Sequence, residues 1–207
     1  MAPARRHDYL WAMSEIRWLF LGAAVAIAAA ALPADAATKK PKAKPEPAAA
    51  PAVPATDPGP AKSLGNAGAW TAYLAQNKGG KVCYLVGSPE KSEPAAMKRK
   101  TVMAMVTHRT EDNVANVVSF DEGYPLKEDS DVQLEIGAEK FPLFPSDDTA
   151  WARTAELDKA IVAALGKGHQ AIVKAIPKKG HPTTDTYALS GFSKALALID
   201  KACDVKR

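Results

Sequence analysis

The sequence predicts a mainly β, α+β fold: an antiparallel β-sandwich or curled sheet carrying two helices and closed by one disulfide. Three observations predict it. Between Trp70 and Phe144, apolar residues alternate or form short runs bounded by Gly, Pro, Asn and Asp. Beyond residue 151 the apolar spacing twice changes to that of a helix. The chain's two cysteines, Cys83 and Cys203, fall on a predicted strand and on the second predicted helix.

In chain order, residues 70–75 and 82–86 flank Asn77-Lys78-Gly79-Gly80 and form a hairpin with a Gly-bearing turn. Gly87-Ser88-Pro89 and Pro94 break the chain. Residues 101–108 are apolar on both faces, which suits an inner strand. Glu111-Asp112-Asn113 is a turn, and residues 114–120 are the next strand. Val132, Leu134 and Ile136 alternate with polar residues, a strand with one wet face. Phe141, Leu143 and Phe144 follow a Gly turn. Leu157, Ile161, Ala164 and Leu165 make a helical stripe ended by Gly166 and Gly168. Residues 171–176 are strand-like, 177–182 turn, and 186–189 form a short strand. Phe192, Ala195, Leu196, Ile199 and Cys203 line a last amphipathic helix, with Ser190 as candidate cap.

Ahead of this domain, residues 1–36 read as a secretory signal. Arg5, Arg6 and Arg17 precede an apolar run, and Pro33-Ala34-Asp35-Ala36 supplies a small-x-small site for cleavage after Ala36. Met13 is an alternative start. The competing reading is a retained membrane anchor, since the uncharged run 18–34 sits at the lower limit of about 17 to 25 residues for a spanning helix. Residues 37–65 form a Pro/Ala/Lys-rich linker too poor in apolar surface to fold, leaving residues 66–207 as one domain. Lys39, Lys40, Lys42, Lys44 and Lys62 make the spacer basic against Glu46 and Asp57, whereas residues 63–207 carry 19 Lys/Arg and 18 Asp/Glu. A near-neutral, exported domain argues against nucleic acid as the main partner. In an oxidising compartment an even cysteine pair reads as one disulfide, the alternative being two buried free thiols. Closing so long a loop restricts the unfolded chain by about 4 to 5 kcal/mol.

No catalytic signature emerges. His108, His169 and His181 are dispersed, with none of the spacings that gather zinc ligands, and read as surface or turn residues. No Gly-x-Ser-x-Gly elbow occurs, and a disulfide-bonded cysteine is no nucleophile. Asp121-Glu122, Glu128-Asp129 with Asp131, and Asp147-Asp148 fall in predicted loops, where adjacent acids are solvated or form turns. Lys98, Arg99 and Lys100 precede one strand, and Lys174, Lys178 and Lys179 border a later turn. Brought together, they make a candidate patch for phosphate, sulfate or carboxylate groups; kept apart, they are solvated, edge-protecting cations. Trp70, Tyr73, Tyr84, Trp151 and Tyr187 either line a groove or fill the core.

The arrangement of Trp70, Cys83, the strand pair at 101–120, the segment 151–161 and the run Lys179-Gly180-His181-Pro182-Thr183-Thr184-Asp185-Thr186-Tyr187-Ala188-Leu189-Ser190-Gly191-Phe192 resembles the invasion associated locus B family of exported bacterial proteins. The resemblance spans residues 66–203, and its most specific part is the motif Asp185, Tyr187, Leu189, Gly191 and Phe192. It implies a periplasmic or surface-exposed β-rich domain, with links to host-cell invasion, and brings no catalytic residues, cofactor or metal. The chain departs from a common form of that family in having no second cysteine pair between residues 137 and 170. The functional expectation is an exported, non-enzymatic binding or assembly module of the envelope, invasion- or stress-associated. Its partner is an envelope protein, glycan or lipid, with membrane contact only through an uncleaved signal segment. The alternative is a periplasmic hydrolase, which a pocket with converging His and Asp/Glu side chains distinguishes.

Overall fold

The computed structural model describes residues 60–76 and 78–207; the signal segment, most of the linker and Asn77 of the first turn lie outside the described residues. The elements are β1 (Lys62–Ala67), β2 (Trp70–Gln76), β3 (Lys81–Gly87), β4 (Lys91–Glu93), β5 (Met103–Arg109), β6 (Val114–Asp121), β7 (Val132–Ile136), β8 (Glu139–Ser146), β9 (Thr149–Trp151), α1 (Ala155–Lys167), β10 (Gln170–Ala175), β11 (Thr183–Ala188) and α2 (Phe192–Ala202).

Neighbouring strands are antiparallel, and their order is β1-β2-β3-β5-β6-β9-β8-β7-β10-β11-β4. β8 belongs to both halves of this sheet. Residues 139–143 pair with β7, and residues 144–146 pair with β9. Five strand steps separate β6 from β11, roughly 24 Å in a flat sheet. Yet Phe120 of β6 meets Tyr187 of β11 edge-on, with ring centroids 5.7 Å apart. The sheet therefore folds over on itself along β8, and the two halves enclose one apolar core.

Alternation sets which side chains enter that core. Cys83 and Leu85 of β3, and Ala104, Val106 and His108 of β5, point inward and are buried. α1 starts at an N-cap, Thr154, whose hydroxyl accepts the Leu157 amide at 3.2 Å. It buries Ile161, Val162, Ala164 and Leu165. Asp158, on the same face, accepts the Val118 amide at 2.8 Å. That amide lies just beyond the stretch of β6 paired with β9, so a side chain from the helix replaces a missing strand neighbour.

α2 is clamped along its length against β1, β2 and β3. At its start, Phe192 packs edge-on against Trp70 at 5.0 Å, and the Trp70 indole N–H donates to the Ala188 carbonyl at 2.9 Å. Near its end, Asp200 bonds His108 of β5, and Cys203 forms the disulfide with Cys83 of β3, with Cα atoms 6.0 Å apart. Gly191 makes the start possible: its φ is +87°, and a Cβ there would stand 2.1 Å from the Ala67 carbonyl oxygen. Gly191→Ala is therefore expected to cost more than about 2 kcal/mol, since the left-handed backbone alone costs about 1–2 kcal/mol with a Cβ. A urea titration beside Ser190→Ala, whose effect should stay within about 0.5 kcal/mol, checks this.

Four sequence expectations change. β1 begins at Lys62, so residues 62–65, assigned to the linker by composition, pair with β2 instead. β11 begins at Thr183 rather than Thr186, because Thr183 and Asp185 alternate inward despite being polar. Ser190 does not cap α2; Gly191 occupies the N-cap position and supplies no side-chain bond. The short strands β4 and β9 carry no apolar run that could announce them.

Candidate functional site

The two lysine-bearing segments meet across residues 122–127, a strap that follows β6. The Lys100 amide donates to the Gly123 carbonyl at 3.0 Å, and the Lys178 amide donates to the Pro125 carbonyl at 2.8 Å. Lys127 is tied to the Ile176 carbonyl at 2.9 Å, and Leu126 bridges Pro177. The strap thus has residues 98–100 on one side and 177–179 on the other. Lys98, Lys100, Lys127 and Lys179 are exposed along it. Three of the six sequence candidates are otherwise engaged. Lys174 pairs with Glu135 at 2.9 Å, Lys178 pairs with Glu128 at 3.0 Å, and Arg99 turns inward. Lys127 joins the surface although it stands alone among acids in the sequence.

Arg99 is the centre of a buried polar cluster. Its side chain is 5% exposed, and those of Asp185 and Glu122 are 0% exposed. The guanidinium grips Asp185 with two bonds of 2.6 Å, and Ser92 of β4 donates to the same carboxylate at 2.5 Å. Glu122 Oε2 lies 3.7 Å from Arg99 and accepts from the Tyr124 hydroxyl at 3.3 Å. Tyr124 in turn bonds Thr183, and its ring centroid lies 5.8 Å from the Arg99 guanidinium. Asp121-Glu122 was expected in solvent; the structure instead withdraws Glu122 completely, because it follows the inward-facing end of β6. Two carboxylates facing one guanidinium leave a negative charge uncompensated. Burial, followed by the Asp185 charge and hydrogen bond, raises Glu122 from 4.5 to about 8. Asp158 is raised from 3.8 to about 7 by its own burial, the Val118 bond opposing.

These shifts fix a sign. The folded domain keeps protons on Glu122 and Asp158 at pH values where the unfolded chain has released them. Stability from each is fully present below its unfolded value and is lost as pH rises through the folded one. For Glu122 the loss is about 1.4 kcal/mol per pH unit between pH 5 and 8. Urea titrations should show Glu122→Gln gaining on wild type at about that rate over this range, while Asp158→Asn gains only up to about pH 7. Parallel stability curves for wild type and Glu122→Gln would remove the buried proton.

A second charged group sits at the disulfide end. His108, expected at the surface, is buried because β5 alternation turns it inward beside Cys83. Its Nδ1 accepts the Asn116 amide at 3.0 Å, so Nε2 carries the proton and donates to Asp200 at 2.9 Å. Arg207 closes on the same carboxylate at 2.6 and 2.8 Å. A groove of about 530 Å³ passes here, lined by His108, Arg109, Val114, Cys203, Asp204 and Lys206 among others. It has the residue types of the hydrolase alternative. However, both His108 ring nitrogens are already bonded, leaving no lone pair to take a substrate proton. His169 and His181 are exposed and lie apart from it in the chain. Glu128, Asp129, Asp131 and Asp147 are exposed loop acids, as expected.

The motif residues have structural roles. Asp185 anchors Arg99, Tyr187, Leu189 and Phe192 are core, and Gly191 turns the chain into α2. Trp70 is likewise core, while Tyr73 and Tyr84 stack on the other face of the β2–β3 hairpin at 5.3 Å, half-buried, as is Trp151. Sequence reasoning missed Glu122 and Tyr124 as Arg99 partners and Ser92 as a partner of Asp185. The one signal was Asp185 itself, an acid that falls on the same alternation as Tyr187 and Leu189.

These features define a class: a disulfide-closed, folded-over antiparallel β-domain with two helices and a buried Arg99–Asp185–Glu122 cluster. The chain belongs to the invasion associated locus B (IalB) family, whose sequence profile matches residues 70–200. It is similar to the crystal structure of invasion associated protein B from Bartonella henselae, at 21% identity and a TM-score of 0.49, covering 69% of this chain and 99% of that one. No curated protein sequence matches it. Among the described residues, no helix is long and apolar enough to cross a membrane.

Proposed function

We infer that the protein is an exported, non-enzymatic envelope module that binds anionic groups of a glycan or lipid through the lysines around residues 122–127. The observation that carries this reading is the strap, which joins two lysine segments 78 residues apart through hydrogen bonds from Lys100 and Lys178. Export is supported by the signal-like first 36 residues and by the disulfide. A non-enzymatic role is supported by the bonded state of His108 and of the Arg99 cluster.

The test is binding to heparin and, separately, to vesicles of anionic phospholipid. A triple variant, Lys98→Glu, Lys100→Glu and Lys179→Glu, should lose at least tenfold in affinity, and wild-type binding should weaken steeply with salt. Binding to heparin alone names a glycan partner, and binding to vesicles alone names a lipid. Equal binding by wild type and the triple variant removes the assignment.

A further inference from the structure

The lysine surface and the buried cluster are parts of one construction. Arg99 stands between Lys98 and Lys100 in the chain, with its side chain held on Asp185. Glu122 immediately precedes Gly123, whose carbonyl holds the Lys100 amide. The loop and the strap that carry the lysines are therefore fastened by the same three charges.

Those charges do not balance unless a proton is present. With both carboxylates ionised, the fully buried set Arg99, Asp185 and Glu122 carries one excess negative charge, which an interior of low dielectric resists. Hydrogen bonding decides where the proton goes. Asp185 receives two N–H groups from Arg99 and the Ser92 hydroxyl, whereas the Oε1 atom of Glu122 is buried without a partner among the described residues. Facing Glu122 are Arg99 from the β4–β5 loop, Tyr124 from the strap, and Asp185 and Tyr187 from β11. Asp121 precedes it, with Lys100 and Asp148 close by. None of these adds a second buried cation.

We propose that Glu122 holds a proton beside the Arg99–Asp185 pair, and that this proton is linked to anion binding at the lysine surface fastened over it. The proposal rests on that surface being the binding site. When Glu122 loses the proton, a fixed negative charge appears beneath Lys98 and Lys100 and opposes an incoming sulfate, phosphate or carboxylate group. By reciprocity, a bound anion raises the proton affinity of Glu122. Anion affinity then falls across the titration of Glu122, well below the region near pH 10.4 where lysines lose charge. Screening at the surface limits the fall to roughly three- to tenfold.

Heparin titrated calorimetrically at pH 8 in two buffers of different ionisation enthalpy reads the proton directly. Wild type is expected to take up a fraction of a proton per binding event and to lose affinity between pH 6.5 and 9. Glu122→Gln should take up none and bind at both pH values as wild type does at pH 6.5. Equal proton uptake by the two proteins, or pH-independent binding by wild type, overturns the linkage. If wild type binds neither heparin nor anionic phospholipid vesicles at any pH, the surface assignment fails, and the linkage with it. The buried proton is still read separately from the infrared band of a protonated carboxyl in the Asp158→Asn variant, which removes the other buried acid that keeps its proton near pH 7. That band should be present at pH 7, fade by pH 9.5 and vanish when Glu122→Gln is added; its absence at pH 7 overturns the buried proton.

Discussion

Asp185→Ala is expected to cost about 3–5 kcal/mol, enough to leave the domain largely unfolded at 37 °C. The carboxylate it removes takes two bonds from Arg99 and one from Ser92, at 0% exposure. The loss is less that of an ion pair than that of company for a buried cation. Among the described residues Glu122, 3.7 Å away, is the one other acid close to Arg99. In the variant it should give up its proton to serve as replacement, so the pH dependence of stability assigned to Glu122 should disappear. Urea titrations at pH 6 and pH 8 measure both effects. The double variant Arg99→Met, Asp185→Leu should recover most of the lost stability, because two buried charges exchanged together for apolar groups cost little. A double variant no more stable than Asp185→Ala would place the energy in shape rather than charge.

Replacing Cys83 and Cys203 together by Ser should cost about 4–5 kcal/mol, the entropy gained by an unfolded chain no longer closed across 120 residues. The oxidised domain should run faster than the reduced one on a gel. The loss should concentrate in α2. Its start keeps the Trp70–Phe192 contact, while its last turn keeps His108–Asp200, Arg207–Asp200 and the bond from the Lys81 ammonium to the Ala202 carbonyl. Hydrogen exchange at residues 199–203 should therefore accelerate before that at residues 192–196. Unchanged stability in the serine variant would mean that the folded chain, not the bridge, positions the helix.

The fold was legible wherever burial writes a period into the sequence. Val132, Leu134 and Ile136, the stripe of α1 and the stripe Phe192–Cys203 each announce an element that the structure contains. β4 and β9, three residues each, were illegible, because Lys91-Ser92-Glu93 and Thr149-Ala150-Trp151 are too short for any period to show. The lysine surface was half legible. Two clusters could be seen, but the strap that joins them is held by backbone hydrogen bonds, which leave no trace in residue type. The buried cluster was least legible. Arg99 sits between two exposed lysines and Glu122 beside Asp121, so in sequence both look like members of solvated runs. Only the fold-over at β8 brings β11 across to meet them, and that geometry is stored in strand order rather than in any local pattern.

An open sheet has two ends, and each end is a template on which a second chain could grow. β4, at one end, is three residues long, carries a Lys91–Glu93 ion pair and runs straight into Pro94, which has no amide hydrogen to offer. β1, at the other, is broken by a bulge between Ser63 and Gly65 and begins with an exposed lysine. Both termini of the sheet are thus blunted against edge-to-edge growth. Lengthening β4 by replacing Pro94 is therefore the direct way to restore an edge on which copies can pair, and light scattering of that variant beside wild type measures it.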